Sequence, residues 1–75
     1  MEFRLPEVRW LMGDAIPGVT YAVNTSVRIT KGDCAGQTGT LLALMEVEPE
    51  PLYWVVDIGP GGRDALIPQS LLGTA

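Results

Sequence analysis

Few residues of this chain could take part in catalysis or binding, and most of them lie close to turns. Three glutamates alternate at the end of one apolar segment, at Glu46, Glu48 and Glu50. Neighbouring carboxylates can act as general acid and base. These three, however, run into a proline-containing turn, where we expect their side chains to be surrounded by water. We expect a charged strand end that discourages pairing with other chains, not a catalytic pair.

The sequence offers no partner that could activate a nucleophile. It has no histidine, which excludes a Ser–His–Asp triad and most catalytic zinc sites. Its single cysteine, Cys34, has only Lys31 as a nearby cation, so we expect a non-catalytic thiol. One cysteine also cannot form an intrachain disulfide. The prediction is a non-enzymatic protein with no cofactor and no metal.

Three cations could form a small basic patch, namely Arg28, Lys31 and Arg63. With Tyr53 or Trp54 beside them, they would suit a single strand of nucleic acid, whose bases stack on aromatic rings. The chain has 5 Lys and Arg against 9 Asp and Glu, for a net charge of −4. Phosphate backbones repel such a chain unless its cations share one face. Nucleic-acid binding is therefore the alternative prediction, behind a solvated surface.

The elements that position these groups belong to one small β-rich domain. The chain has 75 residues, 47% of them hydrophobic, which suits a single globular domain with a thin core. Its 9 glycines and 6 prolines divide it into the short apolar pieces typical of a small barrel or sandwich. No apolar run is long enough to span a membrane, and the N-terminus lacks a secretory pattern, so we expect a cytoplasmic protein.

Alternation within three segments predicts which side chains share a face. The first segment has an apolar odd-numbered phase formed by Val19, Tyr21, Val23, Val27 and Ile29. In the second segment both faces are apolar at the start, one formed by Leu41, Ala43, Met45 and Val47 and the other by Thr40, Leu42, Leu44 and Glu46. We therefore expect this strand to cross the core and to be half exposed only near Glu46 and Glu48. The third segment has an apolar phase formed by Leu52, Trp54, Val56 and Ile58. The last of these phases predicts that Trp54 lies in the core.

A glycine-rich loop separates the first two segments, within the stretch VRITKGDCAGQTGTLL at residues 27–42. A phosphate-binding P-loop needs Gly-Lys-Ser/Thr leading into a helix. Here Gly39 is followed by Thr40 and an apolar strand, so that interpretation fails. We expect Gly32, Gly36 and Gly39 to have structural roles, each supplying an unusual φ or a close approach in the turn.

This stretch resembles the KOW motif of some ribosomal proteins and bacterial transcription elongation factors. The matching residues are Val27, Arg28, Ile29, Gly32, Gly36, Gly39, Thr40 and Leu41. The resemblance extends more weakly to residue 72, where Pro68-Gln69-Ser70 would form a single 3₁₀ turn. It implies an all-β, five-stranded SH3-like small barrel over residues 18–75. Members of the KOW family that bind ribosomal RNA usually surround this loop with basic residues, whereas here Asp33 accompanies Lys31.

An apolar N-terminal arm, residues 1–17, precedes the predicted barrel. It contains Phe3 and Trp10, and Pro6 interrupts it, so we expect an edge strand or an irregular arm. The piece 7–12 is too short to predict a helix. Trp10, Leu11 and Met12 either pack across an open end of the barrel or form an exposed patch for a partner. An exchange of arms between two copies would satisfy both alternatives.

The predicted function is thus a binding module that recognises protein or associates with itself. The predicted partner-binding residues are Trp10, Leu11 and Met12. The alternative is a nucleic-acid-binding or ribosome-associated module of the KOW type, with Arg28, Lys31, Arg63 and Tyr53 as its contact residues.

Overall fold

The computed structural model describes residues 5–75, so Phe3 lies outside the described part of the chain. One α-helix, α1, is followed there by five strands and a 3₁₀ turn. Their bounds are α1 Pro6–Leu11, β1 Ser26–Ile29, β2 Thr38–Glu46, β3 Leu52–Ile58, β4 Arg63–Pro68, the 3₁₀ turn Gln69–Leu71 and β5 Leu72–Thr74. The all-β prediction is confirmed, and the 3₁₀ turn begins one residue later than predicted.

The five strands form one antiparallel sheet in the order β4-β3-β2-β1-β5. The glycine loop joins β1 to β2, and the 3₁₀ turn carries the chain from β4 at one end of the sheet to β5 at the other. Over residues 5–75, β4 pairs only with β3 and β5 only with β1. The sheet is therefore open, and the expected closed barrel is not observed.

The core lies on the inner face of this sheet, under the helix. Its buried residues are Trp10, Ile16, Val27, Ile29, Leu41, Leu44, Tyr53, Val55, Ile58, Ile67 and Leu72. The odd-numbered phase predicted for Val27 and Ile29 is confirmed. Val19, Tyr21 and Val23 pack against the core in the same phase, although they lie outside any strand.

Strict alternation fails in β2, because Leu41 and Leu44, which it assigns to opposite faces, are both buried. The prediction that β2 is exposed only near Glu46 and Glu48 is also wrong, since Leu42 is exposed. The pairing of β2 with β3 shifts register between Leu41 and Ala43, and again between Leu44 and Glu46. Each shift changes which side chains face the core. Burial therefore passes from Leu41 to Leu44, and Met45 is exposed.

The predicted phase of β3 is also wrong, and Trp54 is not a core residue. The buried residues are Tyr53 and Val55, while the Trp54 side chain is 37% exposed on the outer face. The pairing with β4 shifts register between Val55 and Ile58, and Asp57 has a left-handed φ of 55°. This irregularity returns Ile58 to the core, so Ile58 and Trp54 lie on opposite faces despite their even spacing.

The prediction of an edge strand or irregular arm is wrong for Pro6–Leu11, which is helical. Pro6 occupies the first turn, where its fixed φ suits a helix and its missing N–H costs nothing. Glu7 lies in the same turn, where a carboxylate favours the helix dipole. The chain leaves the helix through Gly13, whose φ is 90°.

Two glycines of the loop between β1 and β2 have conformations that side chains rarely adopt. The φ of Gly32 is 89° and that of Gly36 is 85°. The Gly36 N–H donates to the Ile29 carbonyl oxygen at 2.7 Å, which ties the loop back to the end of β1. Gly39 differs, because it is buried in β2 and has no space for a side chain.

Candidate binding surfaces

Trp10 anchors the helix to the sheet. Its side chain is 2% exposed, and its indole Nε1–H donates to the Tyr21 carbonyl oxygen at 2.7 Å. Its ring lies 5.8 Å from the ring of Tyr53, centroid to centroid. Of the three residues predicted to bind a partner, Trp10 is therefore a core residue. Its position agrees with the arm packing against the sheet, not with an exposed indole.

The helix and the two residues that flank it present an exposed apolar surface, which we call the helix patch. It consists of Leu5, Val8, Leu11 and Met12, which are 66%, 43%, 52% and 59% exposed. Leu5, Val8 and Met12 follow the i, i+3, i+7 spacing of one helix face. Leu11 and Met12, the other two predicted partner-binding residues, thus lie at the surface.

A second exposed apolar surface, the outer patch, lies across β2, β3 and β4. It consists of Leu42, Trp54 and Leu66, with Trp54 at its centre. Trp54 pairs across the strands with Leu66 on β4 and with Ala43 on β2. Its Nε1–H donates to Asp64 Oδ2 at 2.9 Å, which holds the indole over the sheet. The period-2 pattern concealed this patch by assigning Trp54 to the core.

Tyr53 is a core residue and cannot stack on a nucleic-acid base. Its side chain is fully buried, and its hydroxyl donates to Gln69 Oε1. The same oxygen accepts the Thr20 N–H at 2.9 Å, and Gln69 Nε2 donates to the Gly18 carbonyl oxygen at 3.1 Å. The Gln69 side chain thus joins β3 to the loop before β1. Burial, the largest cause, raises the pKa of the Tyr53 phenol above its usual value.

We expect the stability of the protein to fall in strongly alkaline solution because of Tyr53. Its pKa in the folded state is above the usual value of about 10. The folded state therefore holds the phenol proton more tightly than the unfolded state does. This contribution to the free energy of unfolding is complete below about pH 10 and is lost as pH rises through the folded-state pKa. Urea unfolding followed by circular dichroism at a series of pH values measures this loss.

Tyr53→Phe supplies the comparison for the alkaline effect. It removes the hydroxyl and its hydrogen bond to Gln69, at a cost of about 1 kcal/mol at neutral pH. Its stability should then decline less steeply than that of the wild type above pH 10. Equal slopes for the two proteins would contradict a role for Tyr53.

The predicted basic residues divide between two places. Lys31 and Arg63 line one open groove of about 260 Å³, which we call the edge groove. Arg28 lies between the inward-facing Val27 and Ile29, and it is exposed on the other face of β1. With Tyr53 buried, the structure brings together two of the four residues predicted to contact nucleic acid.

The remaining candidate groups have ordinary surroundings. Glu46 and Glu48 are exposed at the end of β2 and beyond it. Glu50 Oε1 accepts a hydrogen bond from the Ser70 hydroxyl at 2.9 Å, and this bond stabilises the 3₁₀ turn. Cys34 is a free, half-buried thiol that lines the edge groove. Over residues 5–75, no three Cys, Asp or Glu side chains are grouped so that they could hold a metal ion.

The comparisons with known proteins give no family for this chain. A scan against protein-family models, a search of curated proteins and a search of solved structures each returned no match. The KOW resemblance therefore stays a prediction. In the described part of the chain, no helix has both the length and the apolar character needed to cross a membrane.

Proposed function

We propose that this chain is a small, non-enzymatic binding module that recognises protein, and that its first partner is a second copy of itself. The observation that carries this proposal is the outer patch. An indole at the centre of a sheet face, with leucines on both sides, is the kind of exposed apolar surface that marks protein interfaces. Tryptophan is also among the residues that contribute most to binding energy.

The helix patch is the surface that best complements the outer patch. Asp64 lies beside the outer patch, where it accepts the Trp54 indole N–H, so contact between two outer patches would bring like charges together. The helix patch has Arg9 beside it, in a loose surface pair with Asp14 at 3.6 Å. We therefore place the helix of one copy on the outer patch of another, where Arg9 approaches Asp64.

The finer fold that we propose is SH3-like. Three features support it: the strand order β4-β3-β2-β1-β5, the 3₁₀ turn between β4 and β5, and the KOW-like glycine loop. This fold carries many unrelated functions, so the proposed function depends on the two patches and not on the fold. The cytoplasmic location suggested by the single cysteine belongs to the same proposal.

Nucleic-acid binding, as by a KOW-type module, is the second candidate. It is favoured by one observation, that Lys31 and Arg63 line the same groove. Asp33 in that groove, the burial of Tyr53 and the separate position of Arg28 weaken it. If this second candidate is right, single-stranded RNA binds in the edge groove.

Light scattering tests the self-association directly. The wild type should have a mass of at least twice 8.1 kDa at high concentration. Trp54→Ala should return the mass to 8.1 kDa, because it removes the centre of the outer patch. The double variant Leu5→Gln, Val8→Gln should do the same, because it makes the helix patch polar.

Ala35→Ser is the matched control, since Ala35 is exposed in the glycine loop and belongs to neither patch. It should keep the mass of the wild type. A wild type that stays at 8.1 kDa at millimolar concentration would overturn self-association.

A further inference from the structure

The edge groove follows the unpaired side of β4. One wall is β4 itself, from Arg63 to Pro68, and the opposite wall is the glycine loop, from Lys31 to Cys34. Ile29 and Leu71 also line it. Over residues 5–75, the only strand that pairs with β4 is β3, and no residue of β3 lines the groove. The groove is thus the gap that the open sheet leaves between its last strand and the loop.

An extended chain is the shape of ligand that suits this gap. The free side of a strand presents backbone N–H and C=O groups that can pair with another strand. Peptides bind in this way to exposed sheet edges, with backbone hydrogen bonds for affinity and pockets for alternate side chains. The inward-facing Ala65 and Ile67 line the groove beside Ile29, so alternate apolar side chains of a peptide would find apolar surface.

The charges of the groove favour an acidic ligand. Lys31 and Arg63 oppose a single carboxylate, Asp33, among the lining residues. The groove is therefore locally cationic on a chain whose net charge is −4. Of the 5 basic side chains in the sequence, two lie at this one gap. A peptide with glutamate or aspartate near its apolar residues would complement them.

We propose that the edge groove binds an extended acidic peptide segment of a partner protein, which adds to the sheet as a strand beside β4. Its apolar side chains enter the gap between β4 and the glycine loop, and its carboxylates approach Lys31 and Arg63. This site is distinct from the helix patch and the outer patch, apart from Leu66, which borders both the outer patch and the groove.

The test is a titration of the full chain at low salt, followed by amide resonances. The probe is a short, end-capped peptide of alternating valine and threonine flanked by glutamates. It should shift the amides of β4 and of residues 31–34, and it should give α-proton contacts with β4 that are diagnostic of strand pairing. The shifts should weaken as salt is added, because the charge contribution is screened.

Matched variants separate the charges from the backbone. Lys31→Ala and Arg63→Ala should each lower the affinity for the glutamate-flanked peptide by up to about fivefold, as expected for exposed ion pairs. Arg28→Ala removes a cation outside the groove and should leave the affinity unchanged. A peptide whose central residues are prolines cannot donate backbone hydrogen bonds and should not bind.

Several results would overturn the proposal. One is the absence of amide shifts at low salt. Another is that a lysine-flanked peptide or the proline peptide binds as tightly as the glutamate-flanked peptide. A third is that single-stranded RNA shifts these amides and the acidic peptide does not. Trp54→Ala should abolish self-association and leave the peptide titration intact, so failure of the proposed function and failure of this site can be told apart.

Discussion

Trp10→Ala should unfold the domain. Its indole is the largest fully buried side chain, and it joins α1 to the core through Tyr21 and Tyr53. Truncation of a buried tryptophan costs about 3–5 kcal/mol. A domain of this size has only about 3–5 kcal/mol of stability. The variant should therefore give the circular dichroism and amide spectrum of an unfolded chain at room temperature.

Two variants show that this effect comes from burial and not from the arm in general. Leu11→Ala changes the neighbouring exposed residue and should alter stability by no more than about 0.5 kcal/mol. Trp10→Phe retains an aromatic ring but loses the hydrogen bond to the Tyr21 carbonyl, so it should be intermediate. A folded Trp10→Ala with an unchanged unfolding midpoint would refute the placement of this side chain.

Gly39→Ala should produce the second large loss of stability. A Cβ at this position would lie 2.6 Å from Val55 Cγ1 and 3.0 Å from both Ile58 Cγ1 and the Val56 carbonyl oxygen. Val55 and Ile58 are fully buried, and the third atom belongs to the backbone of β3. These neighbours can make room only by displacing packed core side chains or the β3 backbone. Overpacking of this kind costs about 1–3 kcal/mol, and Gly39→Val should cost more than Gly39→Ala.

Gly61→Ala is the control for this prediction. Gly61 lies in the turn between β3 and β4, and the nearest atom to its Cβ would be Arg63 Cγ at 3.8 Å. The change should therefore be within about 0.5 kcal/mol of neutral. Urea unfolding of the two variants measures the difference in their stability. Equal unfolding midpoints would show that β2 and β3 do not pack tightly at Gly39.

The sequence predicts the sheet better than it predicts the faces of the strands. Val27 and Ile29 alternate without interruption, so their burial follows from period 2. Strict alternation fails in β2 and β3 because register shifts near Leu42 and Asp57 insert extra residues into these strands. Asp57 has a left-handed φ, a conformation that the residue type alone does not predict. Long-range pairing between strands determines these positions.

The binding surfaces were predictable only in part. Pro6 and Glu7 at the first turn are signals for a short helix, but its stability depends on Trp10 packing into a core formed by distant residues. The exposure of Leu11 follows once the helix is known. The outer patch around Trp54 was concealed by the shift at Asp57. The meeting of Lys31 and Arg63 depends on the topology, which places β4 opposite the glycine loop.

Contacts between copies test the central claim most directly. A sample that mixes isotopically labelled and unlabelled chains reveals only those proton contacts that join one copy to another. We expect contacts between the methyl groups of Leu5 or Val8 in one copy and the indole of Trp54 in the other. Intermolecular contacts that avoid Trp54, or the absence of any in a sample at millimolar concentration, would contradict the proposed association.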